Sequence, residues 1–146
     1  MIYRDTGVAG VVIIEIEPLQ DDRGFFSRTF CQKEFGERGL RTDFAQCSVS
    51  YNRLAGTLRG MHYQAAPAEE AKLIRCTHGS VYDVVLDLRP GSATYMGWVA
   101  VELSAKNHRM LYVPEGVAHG FQTLEPETEL FYQIPTPSSP YCARAV

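Results

Sequence analysis

The sequence predicts an all-β chain whose many short strands close into a sandwich or a barrel. Three observations point there. Seven short segments are rich in β-branched and aromatic residues. Turn-forming pieces separate them, among them His78-Gly79, Arg89-Pro90-Gly91-Ser92, Pro114-Glu115-Gly116 and Glu125-Pro126. Only the stretch 32–38 reads as helix, and it is short.

The segments run in order over 11–16, 58–63, 72–76, 81–88, 98–103, 110–113 and 129–134. The first, preceded by Val8, is apolar enough to resemble a leader, but Glu15 and Glu17 follow at once and no small-residue cleavage site appears, so it reads as a strand. No apolar run approaches the roughly 18 residues a membrane-spanning helix needs. With no repeat, linker or low-complexity tract, residues 1–146 are expected to form one domain, large enough for a real core. The chain carries 14 Lys plus Arg against 17 Asp plus Glu, a net charge of −3. That balance argues against a nucleic-acid binder and leaves room for a local basic groove. Cys31, Cys47, Cys76 and Cys142 are widely spaced with no C-x-x-C pair, which suits reduced thiols in a cytoplasmic protein.

Segment 81–89 says most about the sheet. Side chains alternate across a strand, so Tyr82, Val84, Leu86 and Leu88 share one face while Val81, Asp83, Val85, Asp87 and Arg89 share the other. The second face, with its two aspartates, reads either as a solvated sheet surface or as the polar end of a ligand-sized barrel interior.

Two segments concentrate chemistry. Thr57-Leu58-Arg59-Gly60-Met61-His62-Tyr63-Gln64 and Val113-Pro114-Glu115-Gly116-Val117-Ala118-His119-Gly120-Phe121 each set a histidine beside glycine, where backbone can approach a ligand. Lys72 lies on the next strand. A metal centre is hard to assemble: His62-Tyr63-Gln64 offers glutamine where a second histidine would serve, and His78 and His108 fall in turn signals. No phosphate-binding G-x-x-x-x-G-K-[ST] or G-x-G-x-x-G loop occurs, so a diphosphate would rest on Arg23, Arg59 and Lys72. A G-x-S-x-G elbow is also absent.

Taken together, D-R-G-F-F at 22–26, L-R-G-M-H-Y-Q at 58–64, K-L-I-R-C at 72–76, V-Y-D-V-V-L-D-L-R at 81–89, L-S-A-K-N at 103–107 and V-P-E-G-V-A-H-G-F at 113–121 make the chain resemble the dTDP-4-dehydrorhamnose 3,5-epimerase family. The motifs keep the family's order to about Tyr132. The resemblance implies a cupin-type antiparallel β-barrel (jelly roll) with one or two short helices, a homodimer with exchanged strands, no metal or organic cofactor, and a place in dTDP-rhamnose biosynthesis. Its substrate would be a dTDP-linked 4-keto-6-deoxy sugar, inverted at C3, C5 or both. By position, His62 resembles the base, Lys72 the cation facing the enolate oxygen, and Tyr132 the acid. Asp83 and His119 are expected in the same pocket, with Arg23, Phe26, Gln46 and Arg59 holding the nucleotide and diphosphate.

Three positions depart from the family pattern. Members carry an aspartate beyond the tyrosine that pairs with the base, whereas no acidic residue follows Glu129 here; Asp83 is expected to take that role beside His62. Arg28 stands where the family has glutamate, and Ser48 where it has asparagine. A sugar-nucleotide binding module and a related cupin ketoisomerase remain as alternative readings.

Overall fold

The computed structural model describes residues 1–146. In chain order it builds β1 (Ile2–Asp5), β2 (Val12–Glu15), β3 (Leu19–Asp21), β4 (Gly24–Phe26), α1 (Gln32–Glu37), β5 (Gln46–Asn52), β6 (Leu58–Gln64), β7 (Lys72–His78), β8 (Ser80–Asp87), β9 (Trp98–Ser104), β10 (Met110–Val113), β11 (Val117–Thr123), β12 (Thr128–Ile134) and β13 (Ala143–Ala145). A six-stranded sheet runs β1-β2-β10-β7-β12-β5 and a five-stranded sheet β13-β6-β11-β8-β9, while β3 and β4 form a separate hairpin. All pairings are antiparallel. This is the expected cupin-type barrel, with one helix. No helix is long and apolar enough to cross a membrane.

The core sits between the two sheets. Ile74, Cys76, Leu111, Val113 and Leu130 from one meet Val81, Val85, Val101, Leu103, Val117 and Phe121 from the other. Residues 81–89 therefore point inward on their odd side: Val81, Asp83, Val85 and Asp87 are fully buried while Tyr82 is exposed. The barrel-interior reading of that strand holds, and the solvated-face reading does not.

The six-stranded sheet is buried on its outer face as well. Leu73, Met110, Tyr112, Val12 and Ile14 pack there against Phe35 of α1, with Phe30 and Phe44 around it. Consequently every residue of β10 is buried. Six residues are too few for a helix to hold by itself, and Cys31 at its N-cap makes no side-chain cap. Phe35, with no exposed surface and edge-on contacts to Phe30 and Tyr3, is what keeps α1 in place.

Strands β1, β3, β4, β5, β11 and β13 escape the sequence reading. Their segments are short, glycine-containing or polar on both faces, and pairing rather than propensity makes them strands. All four cysteines are free thiols, and burial pushes the Cys76 thiol up to about 11.

Candidate active site

The two histidine segments become neighbouring strands. β6 and β11 pair with His62 directly opposite His119, which puts both imidazoles on one face of the sheet. His119 is buried, whereas His62 opens into a cleft of about 420 Å³ that Gln46, Ser48, Glu70, Ser138 and Arg144 help to line.

A bulge makes the arrangement work. Arg59 and His62 are three residues apart and by simple alternation would face opposite ways. Yet Arg59 pairs with Phe121 and His62 with His119, so three steps on β6 match two on β11. The extra residue falls at Gly60-Met61 and returns both side chains to the same face. Glycine is required there: Gly60 has φ +105°, and a Cβ on it would lie 2.5 Å from Gly120 Cα. Arg59 then reaches across to the other sheet, its Nε donating to Asn52 Oδ1 at 2.7 Å.

Asp83 does not serve His62. Its Oδ2 lies 2.8 Å from His119 Nε2, and Oδ1 has no partner. Strand order is the reason. β11 lies between β8 and β6, so Asp83 is two strand spacings, roughly 10 Å, from the strand that carries His62. The expectation that Asp83 replaces the family's tail aspartate is overturned; burial raises its carboxyl above the usual range, against the pull of His119.

On the opposite wall, Tyr132 of β12 pairs with Ile74 of β7 and packs against the core. Its ring stands edge-on to His119, centroids 6.0 Å apart. Burial drives its hydroxyl far above the ordinary tyrosine range, helped by the Asp83 carboxylate and opposed by Arg59. Lys72 shares the inward face of β7 with Ile74 and Cys76. Nearly buried, its Nζ is 2.7 Å from Glu70 Oε1, an ion-pair contact whose angles fall outside hydrogen-bond geometry.

Not every expected residue gathers here. Gln46 lies at the cleft and accepts the Ser138 N–H at 2.8 Å. Arg23 and Phe26 sit on the β3–β4 hairpin, away from His62, with side-chain exposure of 90% for Arg23 and residue exposure of 75% for Phe26. Arg28 is also exposed and pairs with Glu34 at 3.5 Å. A second cleft of about 400 Å³, beside Phe25, Phe26, Arg75 and His108, contains none of His62, Lys72 and Tyr132. His78 and His108 are exposed, as their turn signals imply. Two features of the cleft escape the sequence reading: Glu70, and strand β13, which pairs Ala145 with His62 along the free edge of β6. Only the outward packing of Ala71 between them shows that residues 70 and 72 turn the same way.

No three histidine, cysteine or acidic side chains cluster as a metal site. The cleft itself holds His62 and Glu70; Tyr132, its phenol kept neutral by burial, and the Lys72 ammonium lie on the facing sheet, outside that lining.

Comparison with known proteins bears on this arrangement. The family model for dTDP-4-dehydrorhamnose 3,5-epimerase matches residues 5–146. The dTDP-4-dehydrorhamnose 3,5-epimerase of Shigella flexneri is 45% identical over 129 residues, 88% of this chain and 71% of that protein. The Sinorhizobium fredii enzyme of the same name is 40% identical over 95% of this chain and 71% of its own length. A crystal structure of the Bacillus anthracis enzyme, with TDP and PPi bound, superposes with a TM-score of 0.94 at 40% identity, over 99% of this chain and 82% of that one. This chain belongs to the dTDP-4-dehydrorhamnose 3,5-epimerase family and is an isomerase.

Proposed function

We propose that the protein inverts C3, C5 or both of a dTDP-linked 4-keto-6-deoxy sugar by removing and returning a proton through an enolate. The observation that carries this reading is the placement of His62 and Tyr132 on opposite walls of the barrel. Epimerisation takes a proton from one face of a carbon and delivers another to the opposite face, so it calls for two groups on two sides. An imidazole is a base near neutral pH, and a phenol held protonated by burial is an acid. The C4 ketone acidifies its neighbouring protons, so the step asks for no organic cofactor.

His62 removes the proton. Negative charge then moves to the C4 oxygen, where Lys72 stabilises it; a fixed donor at such an oxyanion contributes about 2.7–4 kcal/mol. Tyr132 delivers a proton from the far side. Asp83 and His119 form the polar floor, with His119 edge-on to the acid. Gln46, which lines the cleft, and Arg59, which shares the face of β6 with His62, hold the nucleotide diphosphate.

Residues 1–146 act in this reading as one catalytic domain, and two copies form a homodimer. Support comes from the β3–β4 hairpin, which presents Leu19, Phe25 and Phe26 to solvent and pairs with neither sheet of its own chain. Exchanged between subunits, it would bring Arg23 and Phe26 to the partner cleft. The free thiols suit a reducing compartment such as the cytoplasm.

The test is incubation with a dTDP-4-keto-6-deoxyglucose in D₂O, read by NMR at C3 and C5. Deuterium at one or both carbons is expected, abolished by His62→Asn. Absence of deuterium with the parent protein, or full exchange in His62→Asn, would refute the reading.

A further inference from the structure

The carboxylate that matters most to Lys72 is two residues away. Ala71 packs outward with the aromatic layer around Phe35, so Glu70 and Lys72 both turn inward. Their side chains are only 11% and 8% exposed, and Glu70 Oε1 stands 2.7 Å from Lys72 Nζ. No other carboxylate is within ion-pair distance of that ammonium. The fully buried Asp83 and Asp87 are committed elsewhere, to His119 and to Arg89, Ser92 and Thr94.

Burying such a pair does little for stability, because desolvation offsets most of the attraction. What the pair does provide is a fixed position. Lys72 is a long, flexible side chain with three rotatable donors, and an ammonium free to rotate is a poor stabiliser of charge at one point. Glu70 also lines the cleft into which His62 opens, so it borders substrate space directly.

We infer that Glu70 is a positioning residue: it holds the Lys72 ammonium at the place where the enolate oxygen develops. This rests on the role given to Lys72 in the preceding subsection. Glu70 acts through Lys72 and takes no proton in the reaction.

The experiment is a double-mutant cycle of the parent protein, Glu70→Ala, Lys72→Met and the double variant. Deuterium exchange at C3 and C5 is timed in D₂O with a dTDP-4-keto-6-deoxyglucose, and thermal melts are run alongside. Glu70→Ala is expected to lower kcat by about tenfold to a hundredfold, with KM nearly unchanged, since misplacing a catalytic group by an ångström has that effect. Glu70→Gln, which keeps the reach but removes the charge that holds the ammonium, recovers little of the loss, whereas Glu70→Asp, which keeps the charge, recovers part of it. In the Lys72→Met background the same Glu70→Ala change alters the residual rate by less than about twofold, because the group it positions is gone.

A Glu70→Ala rate equal to the parent's overturns the inference while leaving the epimerase reading intact. So does an equal loss in both backgrounds, which marks a merely structural role. A parent protein without exchange overturns both. If Glu70→Ala melts below the assay temperature, Glu70→Asp replaces it in the cycle, keeping the charge but withdrawing it from the 2.7 Å contact.

Discussion

His119 Nε2 and Asp83 Oδ2 lie 2.8 Å apart in the barrel floor, and that contact is the only hydrogen bond the buried Asp83 carboxylate makes. The pair sits between Val85, opposite His119 on β8, and the edge of the Tyr132 ring. It is thus both a structural joint between β8 and β11 and the floor under the proposed acid.

Removing one member should therefore hurt more than removing both. His119→Ala leaves a buried carboxylate without a partner and is expected to destabilise by about 3–5 kcal/mol. In the Asp83→Asn background the same change should be clearly milder. Urea denaturation of the four proteins measures this; strictly additive losses would mean that the two residues do not act as a pair.

Gly60→Ala is expected to cost about 2 kcal/mol or more, combining a left-handed backbone penalty with overlap against Gly120 Cα. Because the bulge also sets where His62 points, activity should fall further than the fraction unfolded explains. Comparing denaturation midpoints with exchange rates at a temperature where both proteins are folded separates the two effects.

Tyr132 should resist ionisation. Its hydroxyl is held above the ordinary value of about 10, so the neutral form, the one that donates, persists through that pH. An ultraviolet titration of the parent minus that of Tyr132→Phe should show no phenolate appearing near pH 10. A full phenolate step there would contradict the buried environment.

Asp87 organises the turn after β8. It accepts from Arg89, Ser92 and Thr94, all between 2.6 and 3.0 Å, and these donors hold its carboxyl well below the usual range. A depressed folded-state value means the unfolded chain binds the proton more readily. The stabilisation is present above the unfolded value of about 3.9 and fades as pH falls through the folded one. Asp87→Asn should thus be less stable than the parent at pH 7, by roughly 1.5–3 kcal/mol for a weakened charged hydrogen bond, with the gap closing on acidification. Urea midpoints across an acid series test it, and a gap that widens toward low pH would contradict the sign.

If the β3–β4 hairpin is exchanged between subunits, Phe26→Asp should shift sedimentation from dimer to monomer and raise KM more than it lowers kcat. A parent protein that sediments as a monomer would remove the exchanged hairpin from the proposal.

Much of this protein is readable along the chain because its signals are local. Short runs rich in apolar, β-branched and aromatic residues such as 72–76 and 110–113 become strands, Gln32 to Glu37 becomes the one helix, and the motifs around His62, Lys72 and His119 identify the family. Pairing is not local, and pairing decided the rest. Parity alone sets Arg59 and His62 on opposite faces; a single extra residue at Gly60, forced by the crossing with Gly120, brings them together. Alternation leaves Asp83 on either a solvated or an interior face and the resemblance puts it in the pocket, but only the strand order β6-β11-β8 assigns it to His119 instead of His62. Likewise nothing in the sequence singles out Glu70; the burial of Ala71 turns it toward Lys72. Alternation fixes which side of a strand a residue takes, whereas register and neighbour order, set by the packing of the whole barrel, choose its partner.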